Sequence, residues 1–209
     1  MADHFADTGF VPLRIAVLTI SDSRRDVDDK SGAWLRDAAE HAGHQVVAKE
    51  IVPDDVYRMR VFFSRWIADP QVQVVLTTGG TGITGRDSTP EAVTPLLDKR
   101  LEGFGELFRV LSYEEIGPST LQSRAVAGVA NGTLIFCLPG SGGACRTAWD
   151  KILRLQLDHR TRPCNFAQLL PRLLESETGH VGPKDDWPKG DRPVAPTGLR
   201  FGSRGPEPE

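Results

Sequence analysis

The sequence predicts a three-layer α/β fold, in which helices cover both faces of a mostly parallel sheet that contains one antiparallel strand. Apolar, β-branched runs alternate with amphipathic helical segments, and this alternation is typical of parallel strands joined by right-handed crossovers. The dipeptide Asn131-Gly132 lies between two apolar runs and favours a type I′ hairpin, which requires one strand of opposite direction. A chain of 209 residues is long enough for about one domain with a substantial core.

The elements of the first half follow from the apolar pattern and from recognisable stops. Gly43 stands just beyond the first helix as a glycine stop. Asp54 or Asp55 can cap the second helix, which stops before Asp69-Pro70. The predicted segments are strands 14–20, 45–52 and 72–77, and helices 30–42 and 56–68.

The second half is predicted to begin with a helix that carries Pro90 in its first turn. It is predicted to end with a longer helix after a second glycine-rich turn. The predicted segments are helices 90–99 and 104–115, a short helix through 121, strands 125–130 and 133–138, and a helix from 144 to 159. Phe104, Phe108 and Tyr113 give the 104–115 helix an aromatic character that suits either the core or a contact with a neighbouring subunit.

The chain is predicted to form one domain, residues 10–175, preceded by an N-terminal extension, residues 1–9, and followed by a tail, residues 176–209. The tail is dense in Pro and Gly and poor in aliphatic residues, so it cannot bury enough apolar surface to offset the entropy of ordering. We expect a mobile tail. The alternative is an extended arm that docks Trp187 and Phe201 on a neighbouring subunit.

Composition argues against several classes of protein. A formal net charge of -3 gives no support for duplex nucleic-acid binding. The amino terminus has no basic region followed by a long apolar run, so we expect neither a signal peptide nor a membrane span, and by default a cytoplasmic location. Cys137, Cys145 and Cys164 have no CxxC spacing, which argues against a disulfide framework and a zinc site. Cys137, inside an apolar run, is expected in the core.

A glycine-rich turn follows the third strand. Residues 74–90 read VVLTTGGTGITGRDSTP, so Gly79, Gly80 and Gly82 stand at the carboxyl end of a strand, where open α/β sheets bind ligands. Glycine permits positive φ and lets bare backbone N–H groups approach a phosphate. The spacing matches neither GxxxxGK[ST] nor GxGxxG, so an anion site and a plain β-to-α connection both stay open.

Other strand-end turns also carry polar or glycine-rich sequence. Since the carboxyl ends of parallel strands share one edge of a sheet, we expect the turns at 21–24, 53–55, 79–87 and 139–143 to converge. Asp22, Asp54 and Asp87 offer oxygen ligands that suit Mg²⁺, and the glycines offer donors to phosphate, a combination that fits a magnesium nucleotide. Each of these aspartates could instead be a helix cap, as could Ser141.

The histidines and arginines give less specific signals. We expect no Ser-His-Asp set, because the histidines fall on predicted helices or tails rather than at strand ends. His41 and His44 are spaced for a metal, but without a third ligand nearby a solvated helix end is favoured. Three arginines could bind phosphate or pair with surface glutamates: Arg109, Arg124 and Arg146, with Glu106, Glu114 and Glu115 as partners.

With these residues in view, the chain resembles the MoaB family of molybdenum cofactor biosynthesis proteins, within the superfamily that includes MogA and the gephyrin G domain. The matching segments are TISDSR at 19–24, VPDD at 52–55, LTTGGTGITGRDSTPEA at 76–92, EGFGELFRVLSYEEIGPSTLQSRAVAGVANGTLIFCLPGS at 102–141, ACRTAWDKI at 144–152 and RPCNF at 162–166. The resemblance implies an α/β/α sandwich, a trimer or dimer of trimers, and binding of molybdopterin.

Catalytic members of the superfamily transfer AMP from Mg-ATP to the terminal phosphate of molybdopterin and release pyrophosphate. Carried onto this chain, the resemblance implies that Asp54 and Asp87 are catalytic residues at the Mg²⁺ and phosphate site. It also implies a set of substrate-binding residues: Ser21, Asp22, Gly79, Gly80, Thr81, Gly82, Gly140 and Ser141. The last turn begins PGSGGAC, the form typical of MoaB rather than of MogA or gephyrin. A non-catalytic pterin-binding or scaffold role in the same pathway is therefore the alternative.

Overall fold

In the computed structural model of the protein, residues 9–23 and 25–174 are described. Within these ranges, six strands form one sheet in the order β2-β1-β3-β6-β5-β4. They are β1 (Arg14–Ile20), β2 (Gln45–Val52), β3 (Val74–Thr78), β4 (Lys99–Arg100), β5 (Val126–Ala130) and β6 (Thr133–Leu138). Strands β2, β1, β3 and β6 are parallel, and β5 runs antiparallel to β6 and to β4. The predicted sheet, with one strand of opposite direction, is confirmed.

Helices pack on both faces of this sheet and complete the α/β/α sandwich. The helices are α1 (Lys30–His41), α2 (Val56–Ala68), α3 (Thr89–Val93), α4 (Glu102–Ile116), α5 (Gly142–Ala148), α6 (Arg154–Gln156) and α7 (Phe166–Leu169). Side chains alternate along β1, so that Ile15 and Val17 face one layer while Ala16 and Leu18 face the other. Helices α1, α4 and α5 contribute to the first core cluster, and α2 and α3 contribute to the second.

Two aspartates cap the first two long helices. Asp55 accepts hydrogen bonds from the backbone N–H groups of Tyr57 and Arg58 at 3.0 and 2.9 Å, which satisfies donors of the first turn of α2. Asp29 caps α1 in the same way. Of the two caps considered for α2, Asp55 is the one used, and the carboxylate of Asp54 makes other contacts.

The β5–β6 hairpin turns at Asn131 and Gly132, whose φ angles are 45° and 72°. Positive φ at both central residues is the mark of a type I′ turn, the connection whose twist matches the flanking strands. The hairpin predicted from this dipeptide is therefore confirmed.

The predicted helix over 90–99 is wrong in its second half. Helix α3 ends at Val93 and is followed by a 3-10 turn, Thr94–Leu96. Pro95 has no N–H to continue an α-helix, and the N–H groups of Asp98 and Leu101 instead donate to carbonyls of β5. Lys99–Arg100 thus becomes the edge strand β4. The final helix also differs from its prediction, because it begins at Gly142 and passes through a π-helical turn, Trp149–Leu153, before ending at Gln156.

His44 is buried, which corrects the expectation of a solvated helix end. Its side chain is 6% exposed, and its Nδ1 accepts a hydrogen bond from the backbone N–H of Leu13 at 3.2 Å. The ring packs near Phe10 and Trp149, because the chain turns at Gly43, whose φ is +93°, and enters β2 at Gln45 instead of continuing the helix. This burial lowers the pKa of His44 to about 4.

The burial of the core residues shows which aromatic side chains of α4 belong to the core and whether Cys137 does. Phe104 and Phe108 are buried at 5% and 1% exposure, whereas Tyr113 on the same helix is 58% exposed. Cys137 is buried as expected, and burial raises the pKa of its thiol to about 12.

No helix in the described ranges is both long and apolar enough to cross a membrane. Several predictions concern residues outside those ranges: the extension through residue 8, Arg24, and the tail 176–209 with Trp187 and Phe201.

Candidate functional site

The carboxyl ends of three parallel strands meet below a cavity of about 660 Å³. Thr19 of β1 pairs with Thr78 of β3, which pairs with Leu138 of β6, so the turns that follow emerge side by side. All ten residues implied by the resemblance line this cavity: Ser21, Asp22, Asp54, Gly79, Gly80, Thr81, Gly82, Asp87, Gly140 and Ser141. The predicted convergence of strand-end turns is therefore present in the structure.

The first glycine turn requires glycine at two positions. Gly79 has φ +113°, and a Cβ there would lie 2.2 Å from the carbonyl oxygen of Ile20. Gly80 has φ +63°, and a Cβ there would lie 2.6 Å from Oδ2 of Asp54. Because L side chains rarely adopt such φ values, only glycine lets this backbone pass close to β1 and to the Asp54 carboxylate.

The second glycine turn touches the first. A Cβ on Gly140 would lie 3.3 Å from Cα of Gly79. Ser141 caps α5, because its Oγ accepts a hydrogen bond from the N–H of Ala144 at 3.1 Å. The cap alternative is thus correct for Ser141, but its hydroxyl hydrogen still allows it to donate a hydrogen bond into the cavity that it lines.

Asp54 is held by the start of α3. Its Oδ1 accepts from the N–H and the hydroxyl of Ser88 at 3.1 and 2.6 Å. Burial raises the pKa of Asp54, and the charges of Asp22 and Asp87 act in the same direction, while the Ser88 hydrogen bonds oppose the rise. A partly buried carboxylate that faces other carboxylates is an environment that a cation would stabilise.

Asp87 does not cap α3. Its Oδ2 accepts from the N–H and the hydroxyl of Thr84 at 2.9 and 2.6 Å, and these bonds lower the pKa of the Asp87 carboxyl. A Cβ on Gly82 would lie 2.6 Å from the same oxygen. The loop after β3 therefore folds around an ionised Asp87 that it also presents to the cavity.

Asp22 forms an ion pair across two loops and does not cap a helix. Its carboxylate accepts from Nε and Nη2 of Arg86 at 3.1 and 2.6 Å and from the N–H of Asp54 at 3.1 Å. The hydrogen bond from Arg86 lowers the pKa of Asp22. The pair joins the turn after β1 to the loop after β3.

Arg124 holds the loop after β3 through hydrogen bonds to its carbonyl groups, and this role was not predicted. Its Nε donates to the carbonyl of Gly82 at 2.6 Å, its Nη2 donates to the carbonyl of Asp87 at 2.7 Å, and its Nη1 pairs with Glu91. The sequence predicted that Arg124 would bind phosphate or pair with Glu106, Glu114 or Glu115, but its glutamate partner is Glu91. The sequence carries no local signal for these contacts, because Arg124 is distant in the chain from the loop it binds.

The lining of the cavity includes one more carboxylate, that of Glu115, which sequence reasoning did not place there. Glu115, near the end of α4, accepts from the hydroxyl of Thr147 and pairs with Lys151 at 3.3 Å. The Thr147 hydrogen bond lowers the pKa of Glu115. Other lining residues carry hydroxyl or amide groups: Ser112, Ser119, Gln122 and Ser123.

The donor set of the cavity suits a divalent cation accompanied by phosphates. Asp54 and Asp87 are the predicted metal ligands, and Mg²⁺ commonly takes one or two carboxylates with substrate phosphates and water. In the described part of the chain, no group of three or more His, Cys, Asp or Glu side chains has metal-holding geometry. Protein side chains alone therefore do not form a complete coordination shell here.

Comparisons with known proteins agree with this architecture. The family described as "Probable molybdopterin binding domain" matches residues 16–159. Molybdenum cofactor biosynthesis protein B of Escherichia coli (strain K12) is 63% identical over 159 residues, which cover 76% of this chain and 94% of that protein. The Bacillus subtilis (strain 168) protein of the same name is 46% identical over 151 residues, covering 72% and 89%.

Solved structures give the same result. A crystal structure of molybdenum cofactor biosynthesis protein B superposes with a TM-score of 0.70 at 45% identity, covering 72% of this chain and 94% of that one. The tungsten cofactor synthesizing protein MoaB from Pyrococcus furiosus superposes with a TM-score of 0.59 at 40% identity, covering 68% and 90%.

Proposed function

Because the chain belongs to the molybdenum cofactor biosynthesis protein B family, with its molybdopterin-binding domain, we propose that it binds molybdopterin and transfers AMP from Mg-ATP to the terminal phosphate of the pterin. The observation that carries this proposal is that Asp54 and Asp87 line one cavity with two glycine-rich turns. Sites that bind phosphates together with Mg²⁺ commonly combine backbone N–H donors with carboxylate ligands.

The proposed reaction needs positioning more than acid–base chemistry. An oxygen of the molybdopterin phosphate forms a bond to the α-phosphorus of ATP, while the bond from that phosphorus to the bridging oxygen breaks and pyrophosphate leaves. The attacking phosphate is already ionised at neutral pH, so the protein need not remove a proton. This agrees with a cavity in which, among the described lining residues, there is no histidine.

The residues present fit Mg²⁺ at Asp54 and Asp87. Gly80 and Gly82 bring the loop backbone so close to these two carboxylates that a Cβ at either position would collide with a carboxylate oxygen. Mg²⁺ held there would supply positive charge beside the triphosphate. The glycine turns would contribute backbone N–H donors, and Ser141 would contribute its hydroxyl hydrogen.

We propose that the pterin ring lies beside Glu115 in the same cavity. A pterin presents N–H donors on its 2-amino group and on N3, and an ionised carboxylate accepts both. Glu115 is such a carboxylate in the cavity lining, held by Thr147 and Lys151. We therefore assign the phosphate to the glycine turns and the ring to Glu115.

The test is release of pyrophosphate from molybdopterin and Mg-ATP. We expect wild-type protein to release it, and Asp87→Asn to reduce turnover by about 100-fold or more while molybdopterin binding changes much less. The matched control is Asp37→Asn, because Asp37 is an exposed aspartate of α1 that pairs with Arg36 outside the cavity. Equal losses in the two variants would contradict the assignment of Asp87.

The second candidate function is a pterin-binding or scaffold protein without catalysis. The turn from Pro139 to Gly143, which has the form typical of MoaB, favours this alternative, because it departs from the turn of MogA and gephyrin. Wild-type protein that binds molybdopterin tightly but releases no pyrophosphate would select it.

We also propose that the protein is a homo-oligomer, a trimer or dimer of trimers. Supporting this, the outer side of α4 and the 3-10 turn after it expose large apolar side chains: Leu107, Val110, Tyr113, Ile116 and Leu121. A group of exposed apolar residues of this kind is typical of an interface. We expect light scattering to give a multiple of the 22.9 kDa chain mass, and Tyr113→Glu to reduce it, whereas Tyr57→Glu, at an even more exposed tyrosine on α2, should not. A wild-type monomer would contradict the proposal.

A further inference from the structure

The ion pair between Arg86 and Asp22 lies in the cavity lining, and Arg86 belongs to the same loop as the first glycine turn. Two nitrogens of the guanidinium donate to the two carboxylate oxygens, Nε to Oδ2 at 3.1 Å and Nη2 to Oδ1 at 2.6 Å. Both residues line the cavity. Neither residue belongs to a helix or a strand, so the pair links the turn after β1 to the loop after β3.

The charges around the cavity make Arg86 distinctive. Four of the described lining residues are acidic: Asp22, Asp54, Asp87 and Glu115. Arg86 is the one basic residue in that described lining, and its charge is paired with that of Asp22. A phosphate that enters this cavity therefore meets mostly negative charge from the described lining, and the guanidinium of that lining is already paired with Asp22.

The geometry of the pair permits an exchange of partners. Phosphate and carboxylate groups both accept two parallel N–H bonds from arginine. The side chains are exposed to 69% for Arg86 and 45% for Asp22, and ion pairs at such exposure contribute little stability. Breaking the pair in favour of a more highly charged phosphate therefore costs little.

We propose that Asp22 is an internal substitute for phosphate and that Arg86 passes from Asp22 to a phosphate group when the ligand binds. This inference rests on the proposed function only in that the cavity receives a phosphate-bearing ligand. The exchange gives the incoming phosphate a bidentate partner. It also releases the carboxylate of Asp22 near Asp54, whose N–H it already contacts. Asp22 thus competes with incoming anions for Arg86. Only a ligand that binds the Arg86 guanidinium more tightly than Asp22 does displaces it.

The proposal makes an unusual prediction about affinity, testable with inorganic pyrophosphate in the presence of EDTA by titration calorimetry. Arg86→Gln should weaken pyrophosphate binding by about 10-fold, because a charge-assisted bidentate contact is lost. Asp22→Asn should tighten binding by about 3- to 10-fold, because a competing anion is removed. The double variant should bind as weakly as Arg86→Gln alone, since Asp22 acts through Arg86.

Controls separate this exchange from a structural role. Arg36→Gln and Asp37→Asn remove the partners of another exposed Arg-Asp pair, which lies outside the cavity, and neither should change the affinity. Arg86→Lys should recover only part of the affinity, because an ammonium cannot form the bidentate contact. Thermal unfolding of each variant checks that the chain still folds.

Two outcomes would overturn the exchange: Asp22→Asn that binds pyrophosphate no better than wild type, or a wild-type protein with no measurable binding. The proposed function fails separately. If the affinities follow the predicted order but no pyrophosphate is released from Mg-ATP and molybdopterin, the exchange stands and the catalytic proposal is wrong. If pyrophosphate is released from Mg-ATP and molybdopterin but Asp22→Asn does not bind pyrophosphate more tightly, the catalytic proposal stands and the exchange is wrong.

Discussion

Asp54 accepts two hydrogen bonds from Ser88, one from the backbone N–H at 3.1 Å and one from the hydroxyl at 2.6 Å. This contact ties the turn after β2 to the residue that precedes α3. The hydrogen bonds also oppose the rise in the pKa of Asp54 that burial causes. Ser88 therefore helps to keep the carboxylate both in position and ionised.

Replacing Ser88 by alanine should lower the rate of the proposed pyrophosphate release by about 10-fold, because one of the two hydrogen bonds that orient Asp54 is lost. The free energy of unfolding should fall by only about 1 kcal/mol. Steady-state kinetics and urea titration measure the two effects. Ser64→Ala, at an exposed serine of α2, is the control and should change neither. A large loss of stability with unchanged kinetics would assign Ser88 a purely structural role.

Arg124→Met should destabilise the loop after β3. The guanidinium donates to the carbonyls of Gly82 and Asp87 and pairs with Glu91, and no methionine atom replaces these donors. We expect a loss of about 2 kcal/mol in the free energy of unfolding together with a lower affinity for molybdopterin. Arg36→Met breaks an exposed pair and should cost less than about 0.5 kcal/mol. Comparable losses in the two variants would show that Arg124 does not organise the loop.

The stability of the protein should decrease between about pH 6.5 and pH 4 because of His44. Burial lowers the pKa of His44 from 6.5 to about 4, so the unfolded chain binds a proton in this range that the folded chain does not. The stabilisation is complete above the unfolded pKa and is lost as the pH falls towards the folded pKa, about 3 kcal/mol in all.

Urea titrations at pH 7 and pH 5 measure this dependence on His44. His44→Asn keeps an acceptor for the N–H of Leu13 but does not titrate, so its stability should fall less than that of wild type between the two pH values. Identical slopes for the two proteins would mean that His44 is not the group responsible.

Two glycine-to-alanine replacements should have opposite effects. Gly132 has φ +72°, and a Cβ would lie 2.9 Å from the side chain of Leu174, so Gly132→Ala should destabilise the hairpin by about 1–2 kcal/mol. Gly103 lies in α4 with open space around its Cα, so Gly103→Ala should stabilise by up to about 0.5 kcal/mol through helix propensity. Thermal unfolding measures both. A neutral Gly132→Ala would contradict the strained turn.

Much of the fold could be predicted because its signals are local in the chain. The alternation of β1, α1, β2 and α2 and the Asn131-Gly132 turn depend on residues close in sequence, and the structure confirms them. The helix over 90–99 was predicted wrongly, because β4 exists only through backbone hydrogen bonds to β5, a strand that follows more than twenty residues later.

For the candidate site too, the positions of the residues followed from local sequence, whereas their partners did not. Strand ends and glycine turns placed the implied residues at one edge of the sheet, and all of them line the cavity. The partners of each carboxylate were not predictable, since Ser88 contacts Asp54, Arg86 contacts Asp22 and Arg124 holds the loop only after distant segments pack together. Sequence alone left Ser141 and the aspartates open between caps and ligands.

The sequence by itself determined the α/β architecture, the hairpin and the turns that carry the site, because hydrophobic period and glycine φ preferences act within a few residues. Only the tertiary structure decided which aspartate caps a helix, that His44 is buried, that Glu115 reaches the cavity, and that Asp22 occupies the guanidinium of Arg86. These depend on side chains from separate elements arriving within hydrogen-bonding distance, and that distance is set by how the sheet and its two helical layers pack.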